Sequence, residues 1–128
     1  GYNVPAYEVV DPQATALATY AGAESIAAAA RDFGTWKSAF IGVPGLSAPF
    51  VSNLARWAGC WVAAEPGDAV YGNEHILTIH AIFPGHKVLH PLRPSRVTDL
   101  TTGEVVSEIA KSIDLDMQRG ETRWFWLE

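Results

Sequence analysis

Four histidines fall within sixteen residues: His75, His80, His86 and His90. Imidazole nitrogens are common ligands for zinc. On β-strands, His75 and His80 would point to opposite faces. His86 and His90 share parity but stand roughly 13 Å apart at about 3.3 Å per residue, too far for one ion. They read as surface or hydrogen-bonded side chains, and no metal or other cofactor is expected. A second candidate is the pair Asp114 and Asp116. Two carboxyl groups can cleave a sugar bond when about 5–5.5 Å apart (retention) or about 6.5–9.5 Å apart (inversion). These two alternate with Ile113, Leu115 and Met117, the pattern of a strand with one wet face, and read as solvated. Glu104 and Glu108 lack apolar neighbours in sequence that would raise a carboxyl pKa. No residue is assigned a catalytic role.

Four other features are weighed as sites. Cys60 is the only cysteine and sits among Trp57, Trp61 and Val62; without an adjacent base it reads as a buried packing thiol. Gly42-Val43-Pro44-Gly45 precedes a helix signal, as an anion-binding loop would. It lacks the phosphate-loop spacing, and Pro44 removes an N–H donor. Ser47 reads as a helix cap rather than a nucleophile. The five tryptophans, Trp36, Trp57, Trp61, Trp124 and Trp126, are many for 128 residues. Aromatic faces stack on the apolar faces of sugars. Trp36, in the turn-like Gly34-Thr35-Trp36-Lys37, and Trp61 are the candidates for sugar stacking. Core or interface packing is the expected place for the others.

The elements that would carry these residues are mostly short strands. Residues 1–13 read as a lead-in. Ala14–Ala21 and Ser25–Phe33 flank a turn at Gly22-Ala23-Glu24. The run Ile26-Ala27-Ala28-Ala29-Ala30-Arg31 has high helix propensity. Ser38–Val43 reads as a buried strand. The clearest helix runs from Ala48 to Ala58, with Ser47 as N-cap, Pro49 in the first turn and Gly59 as the residue that ends it. Its apolar face would hold Phe50, Leu54, Trp57 and Ala58. After Cys60 the period becomes two. Strands are expected at Cys60–Ala63, Ala69–Tyr71, Ile76–Ala81, Lys87–His90, Arg96–Leu100, from Val105, around Ile113–Met117 and at Thr122–Leu127. Leu77, Ile79 and Ala81 should share one buried face. The last strand is large on both sides and should be central or doubly covered. The fold class is therefore α+β and mostly β, one helix followed by a C-terminal antiparallel, sandwich-like domain.

A net charge of −5 with scattered Lys and Arg argues against nucleic acid, whose phosphates need clustered cations. There is no basic amphipathic stretch for a membrane surface and no apolar run near the ~20 residues of a membrane span. Gly1-Tyr2-Asn3-Val4-Pro5 has no charged, then apolar, signal-peptide pattern. A cytoplasmic location is favoured.

Phe33-Gly34, Ala39-Phe40-Ile41-Gly42 and Phe50–Gly59 resemble the close of the amidotransferase-like trimerisation domain in glycoside hydrolase family 42 β-galactosidases. There a strand pair leads into a helix ending in Ala and Gly. Gly67–Tyr71, Leu77–Ala81, Val97–Val106 and Gly120–Phe125 are similar to the family's small C-terminal β-domain. The similarity spans residues 14–128. It implies a division into 1–64, a partial amidotransferase-like α/β segment, and 65–128, an antiparallel β-domain. It also implies that Ser25–Phe33 is a strand despite its alanines. The family's catalytic barrel is missing, as are the parallel strands that should precede residue 14. The resemblance thus implies a non-catalytic, structural or oligomerising segment. Its partners would be the remainder of a glycoside hydrolase or a second copy. The alternative is a carbohydrate-binding module using Trp36 and Trp61.

Overall fold

A computed structural model of the chain describes residues 6–128, so part of the expected lead-in, Gly1–Pro5, lies outside the described residues. In chain order the elements are β1 (Thr15–Thr19), β2 (Ile26–Asp32), β3 (Lys37–Ile41), α1 (Ala48–Ala58), β4 (Ala69–Gly72), β5 (Ile76–His80), β6 (Gly85–Leu89), β7 (Ser95–Asp99), β8 (Val105–Ala110), β9 (Ile113–Met117) and β10 (Thr122–Leu127). The fold class is the expected one, α+β and mostly β. Two compact units divide the chain, Gly1–Ser47 and Ala48–Glu128. The helix therefore groups with the second unit, whereas the sequence reading divides the chain at 64/65.

The first unit is an antiparallel meander in the order β1-β2-β3. Its centre, β2, is strand although alanine favours helix. Ala27, Ala28, Ala29 and Ala30 are only 3, 4, 3 and 8% exposed. Successive strand residues point to opposite faces, so β2 is covered on both sides, and small side chains allow close approach there. Around it the larger groups stay outside: Leu17, Phe40, Val43 and Leu46 are all exposed. The β2–β3 hairpin closes through Phe33 N–H donating to the Trp36 carbonyl (2.9 Å) and Gly34 N–H donating to Asp32 Oδ1 (2.8 Å).

The second unit opens with α1, as Ser47 and Pro49 lead one to expect. Its end is set by Gly59, whose φ of +85° is costly for residues with a Cβ. Cys60 N–H donates to the Ala55 carbonyl (2.9 Å) and Gly59 N–H to that of Arg56 (3.0 Å), the two bonds of a Schellman C-cap. Phe50, Leu54 and Trp57 are half-buried, but Ala58 is exposed, so the apolar face is narrower than expected. Cys60–Ala63 is not a strand. Trp61 there donates its indole N–H to the His90 carbonyl (2.8 Å). His90 N–H bonds to the Ala63 carbonyl (2.7 Å), and Ala64 bridges to Leu89. The segment follows the end of β6 with irregular backbone.

Beyond it, β4-β5-β10-β7-β8 form a five-stranded antiparallel sheet and β6-β9 a two-stranded ribbon. Inward residues of both share one core: Leu77, Ile79, Val97, Phe125 and Leu127 from the sheet, Leu89, Ile113 and Met117 from the ribbon. All eight are essentially inaccessible. Each contributes about 1.5–3 kcal/mol through burial, which makes this core the principal source of stability in the second unit. Of the two alternatives expected for β10, central or doubly covered, the first holds: it is the central strand, covered on one face, and Leu77, Ile79 and Ala81 share the buried side. Phe125 and Leu127 face the core, while Trp124 and Trp126 face out. At the sheet edge, β8 meets β7 with two register shifts, and the other edge, β4, has only four residues.

Candidate functional site

Strand pairing gathers three exposed aromatics of the second unit, Tyr71, Trp124 and Trp126, into rows on the outer face of the large sheet. Tyr71 lies opposite Thr78, and Thr78 opposite Trp124. One step along, Ile76 lies opposite Trp126, Trp126 opposite Thr98, and Thr98 opposite Val105. Tyr71, Trp124 and Trp126 are 73, 49 and 37% exposed. Tyr71 follows Val70, which packs inward, and Trp124 and Trp126 flank the inward-facing Phe125, so all three sit outward. Thr78 donates its hydroxyl to the Arg123 carbonyl (2.9 Å), leaving a short side chain between two long aromatic ones. Polar groups border the rows. At one margin His80 Nδ1 and Thr122 Oγ1 are 2.8 Å apart. At the other, Arg96 donates to Glu108 (3.0 Å) and Glu128 (3.2 Å), and Trp126 Nε1 donates to Glu128 (3.2 Å). His75 stacks against Trp126 with ring centres 5.6 Å apart.

The two tryptophans singled out from sequence lie elsewhere. Trp36 is 56% exposed at the β2–β3 hairpin. Its ring stacks on Phe33, centroids 4.0 Å apart and planes 6° from parallel, and the Arg31 guanidinium covers Phe33 at 4.4 Å. This ladder rigidifies the hairpin and occupies one ring face of Trp36. Trp61 is half-buried and packs against the core. A Cβ on Gly72 would lie 2.8 Å from its ring and from Leu77, so glycine is required there. Tyr71, Trp124 and Trp126 were not chosen as binding residues. The shared parity of the two tryptophans was the available signal.

The other candidates take structural places. His75 lies in the turn before β5 and His80 near the end of that strand. His86 lies on β6 opposite Asp116, with Asp114 Oδ1 3.3 Å from Nε2 and Asp116 Oδ1 3.6 Å from Nδ1. All three are exposed, as expected of the ribbon's wet face. Among the described residues no group of three or more His, Cys, Asp or Glu is arranged to hold a metal ion. Cys60 is exposed rather than buried, because it lies just past the helix cap instead of in a strand. Gly42–Gly45 belongs to the connection from β3 to α1, and Ser47 directly precedes the helix.

The least accessible charges hold the backbone. Asp68, its side chain 8% exposed, meets Lys87 Nζ at 2.7 Å and accepts from Ile82 N–H (2.9 Å). Burial by itself would raise this carboxyl. The hydrogen bond from Lys87, the amides of Ile82 and Phe83 and the Lys87 charge outweigh that and hold it below the ordinary aspartate range. The pair lines a cleft of about 260 Å³ with Glu65, His86 and Val88. Asp99, 4% exposed, accepts from Thr101 N–H (2.7 Å) and from Arg123 Nη1 (3.1 Å), closing the β7–β8 turn. In the first unit Asp11 is lowered by the Gln13 amide and by Arg31, which also reaches Gln13.

Comparison with family models, with curated proteins and with solved structures gives no match. The functional reading therefore rests on the residues and their geometry.

Proposed function

We propose that this chain is a non-catalytic structural component of a larger, glycoside-hydrolase-like assembly. In this reading its first unit completes a core against further polypeptide: the remainder of such a hydrolase or a second copy of the chain. One observation carries the reading. Among the described residues of the first unit the fully buried apolar side chains are four alanines, while Leu17, Phe40, Val43 and Leu46 are exposed. A three-stranded sheet needs a hydrophobic face to be independently stable, and alanine burial supplies little of the roughly 1.5–3 kcal/mol that each large side chain would. Covering those exposed residues is the direct remedy. The engagement of Asp68, Asp99 and Asp11 in backbone and ion-pair contacts supports the same reading, since these carboxylates are committed to architecture.

Size-exclusion chromatography with light scattering, combined with hydrogen exchange, tests this. A dimer or larger species is expected, with β2 amides exchanging more slowly as concentration rises. A monomer whose β2 amides exchange quickly would point to the hydrolase remainder as the missing cover. A monomer at high concentration whose β2 is as protected as β10 would refute the proposal.

A further inference from the structure

The outer face of the five-stranded sheet is built from different strands and does not depend on the structural reading above. We infer that it is a carbohydrate platform, which takes an extended oligosaccharide with equatorial linkages across Tyr71 and Trp124. Three features of the face argue for this occupant. First, the row Tyr71, Thr78, Trp124 places two aromatic side chains two strand spacings apart, about 9.5 Å, with a short threonine between them. That is close to the length of a disaccharide. In an extended chain with equatorial linkages, sugars two units apart present the same apolar C–H face, so both can stack while the middle sugar spans Thr78. Second, Trp126 continues the aromatic surface one step along β10, where His75 stacks on one face of its ring and fixes its orientation. Third, the margins carry the hydrogen-bonding groups a sugar's edge requires: His80 and Thr122 on one side, Arg96 and Glu128 on the other. The core of a protein–protein interface is a dry, densely packed apolar patch. Here Thr78 separates the two rings of the first row, and Thr98 lies beside Trp126 in the second, so hydroxyl groups break the apolar surface. An open platform also encloses less of its ligand than a pocket does, so weak binding that grows with chain length is expected.

Titration of the full chain with β-1,4-linked gluco-, manno- and xylo-oligosaccharides of increasing length, read by tryptophan fluorescence and calorimetry, tests the inference. Saturable binding is expected, strengthening from disaccharide to tetrasaccharide as the second ring is engaged. Trp124→Ala and Tyr71→Ala should each weaken it about five- to tenfold, the worth of one aromatic contact, with unchanged melting temperature. Trp36→Ala should leave it intact. Coiled α-1,4-linked chains of equal length should bind less well. Absence of heat and fluorescence change with every β-linked chain would overturn the inference. So would equal binding of the α-linked chains, or loss of binding in Trp36→Ala but not in Trp124→Ala. Conversion of an oligomer to monomer by Trp124→Ala would make the face an interface between copies and would likewise overturn it.

Discussion

The two units share a construction, antiparallel strands joined by tight turns, but they differ in what fills them. The second encloses Phe125, Leu77, Ile79, Leu89, Ile113, Met117, Leu127 and Val97 between a sheet and a ribbon. Among its described residues the first encloses alanines, with Ile26 and Ile41 half-buried and Leu17, Phe40, Val43 and Leu46 exposed. Backbone pairing can define a strand in both, yet pairing exchanges water hydrogen bonds for internal ones at a small net gain. Side-chain burial then decides which unit is stable by itself. Similar strand pairing can therefore accompany very different amounts of buried apolar surface.

The contrast can be broken first at Phe125. Phe125→Ala should remove about 4 kcal/mol from the second unit, since an aromatic lost from a packed core leaves a cavity. Denaturant unfolding followed by hydrogen exchange at β5 and β10 would measure it. A loss below about 1 kcal/mol would mean the sheet and ribbon are not closely packed. Next in size is Ala29→Val. If β2 is tightly covered, the added methyls should cost about 2 kcal/mol through overpacking, seen as faster exchange within the first unit alone. A stabilising effect would show loose cover and would weaken the comparison.

Asp68→Asn should cost about 2 kcal/mol at neutral pH, because Lys87 and the Ile82 amide lose a charged acceptor. The pH dependence sharpens this. The Asp68 carboxyl is held below its ordinary value in the folded state. Its contribution is therefore present above about pH 4 and disappears as pH falls through the lower folded value. The stability gap between wild type and Asp68→Asn should shrink from about pH 7 to about pH 3. A constant gap would show that the Lys87 pair does not stabilise the fold.

What could be read in the sequence was what is encoded locally. The helix bounds followed from Ser47, Pro49 and Gly59, each acting within one turn of chain. The inward face of β5 followed from alternation, and the central place of β10 from its size on both sides. The strand at Ser25–Phe33 went against alanine's own preference, because tertiary cover overrides propensity. Cys60–Ala63 was misjudged because its alternation reflects one side chain, Trp61, packed on the sheet rather than a paired strand. Parity correctly put Trp124 and Trp126 on one side of β10. It could not say which side the ribbon would cover, since that depends on β9 pairing with β6, which is distant in sequence. Trp61 stands out by residue type alone, and packing against the core leaves it half-buried.

The shifted registers of β8 bear on how such a protein stays in solution. A sheet that presents tryptophans broadside to water risks recruiting neighbours along its rims, where unpaired peptide groups invite another chain to join. Irregular pairing along one rim and a strand of four residues at the other make poor templates for lateral growth.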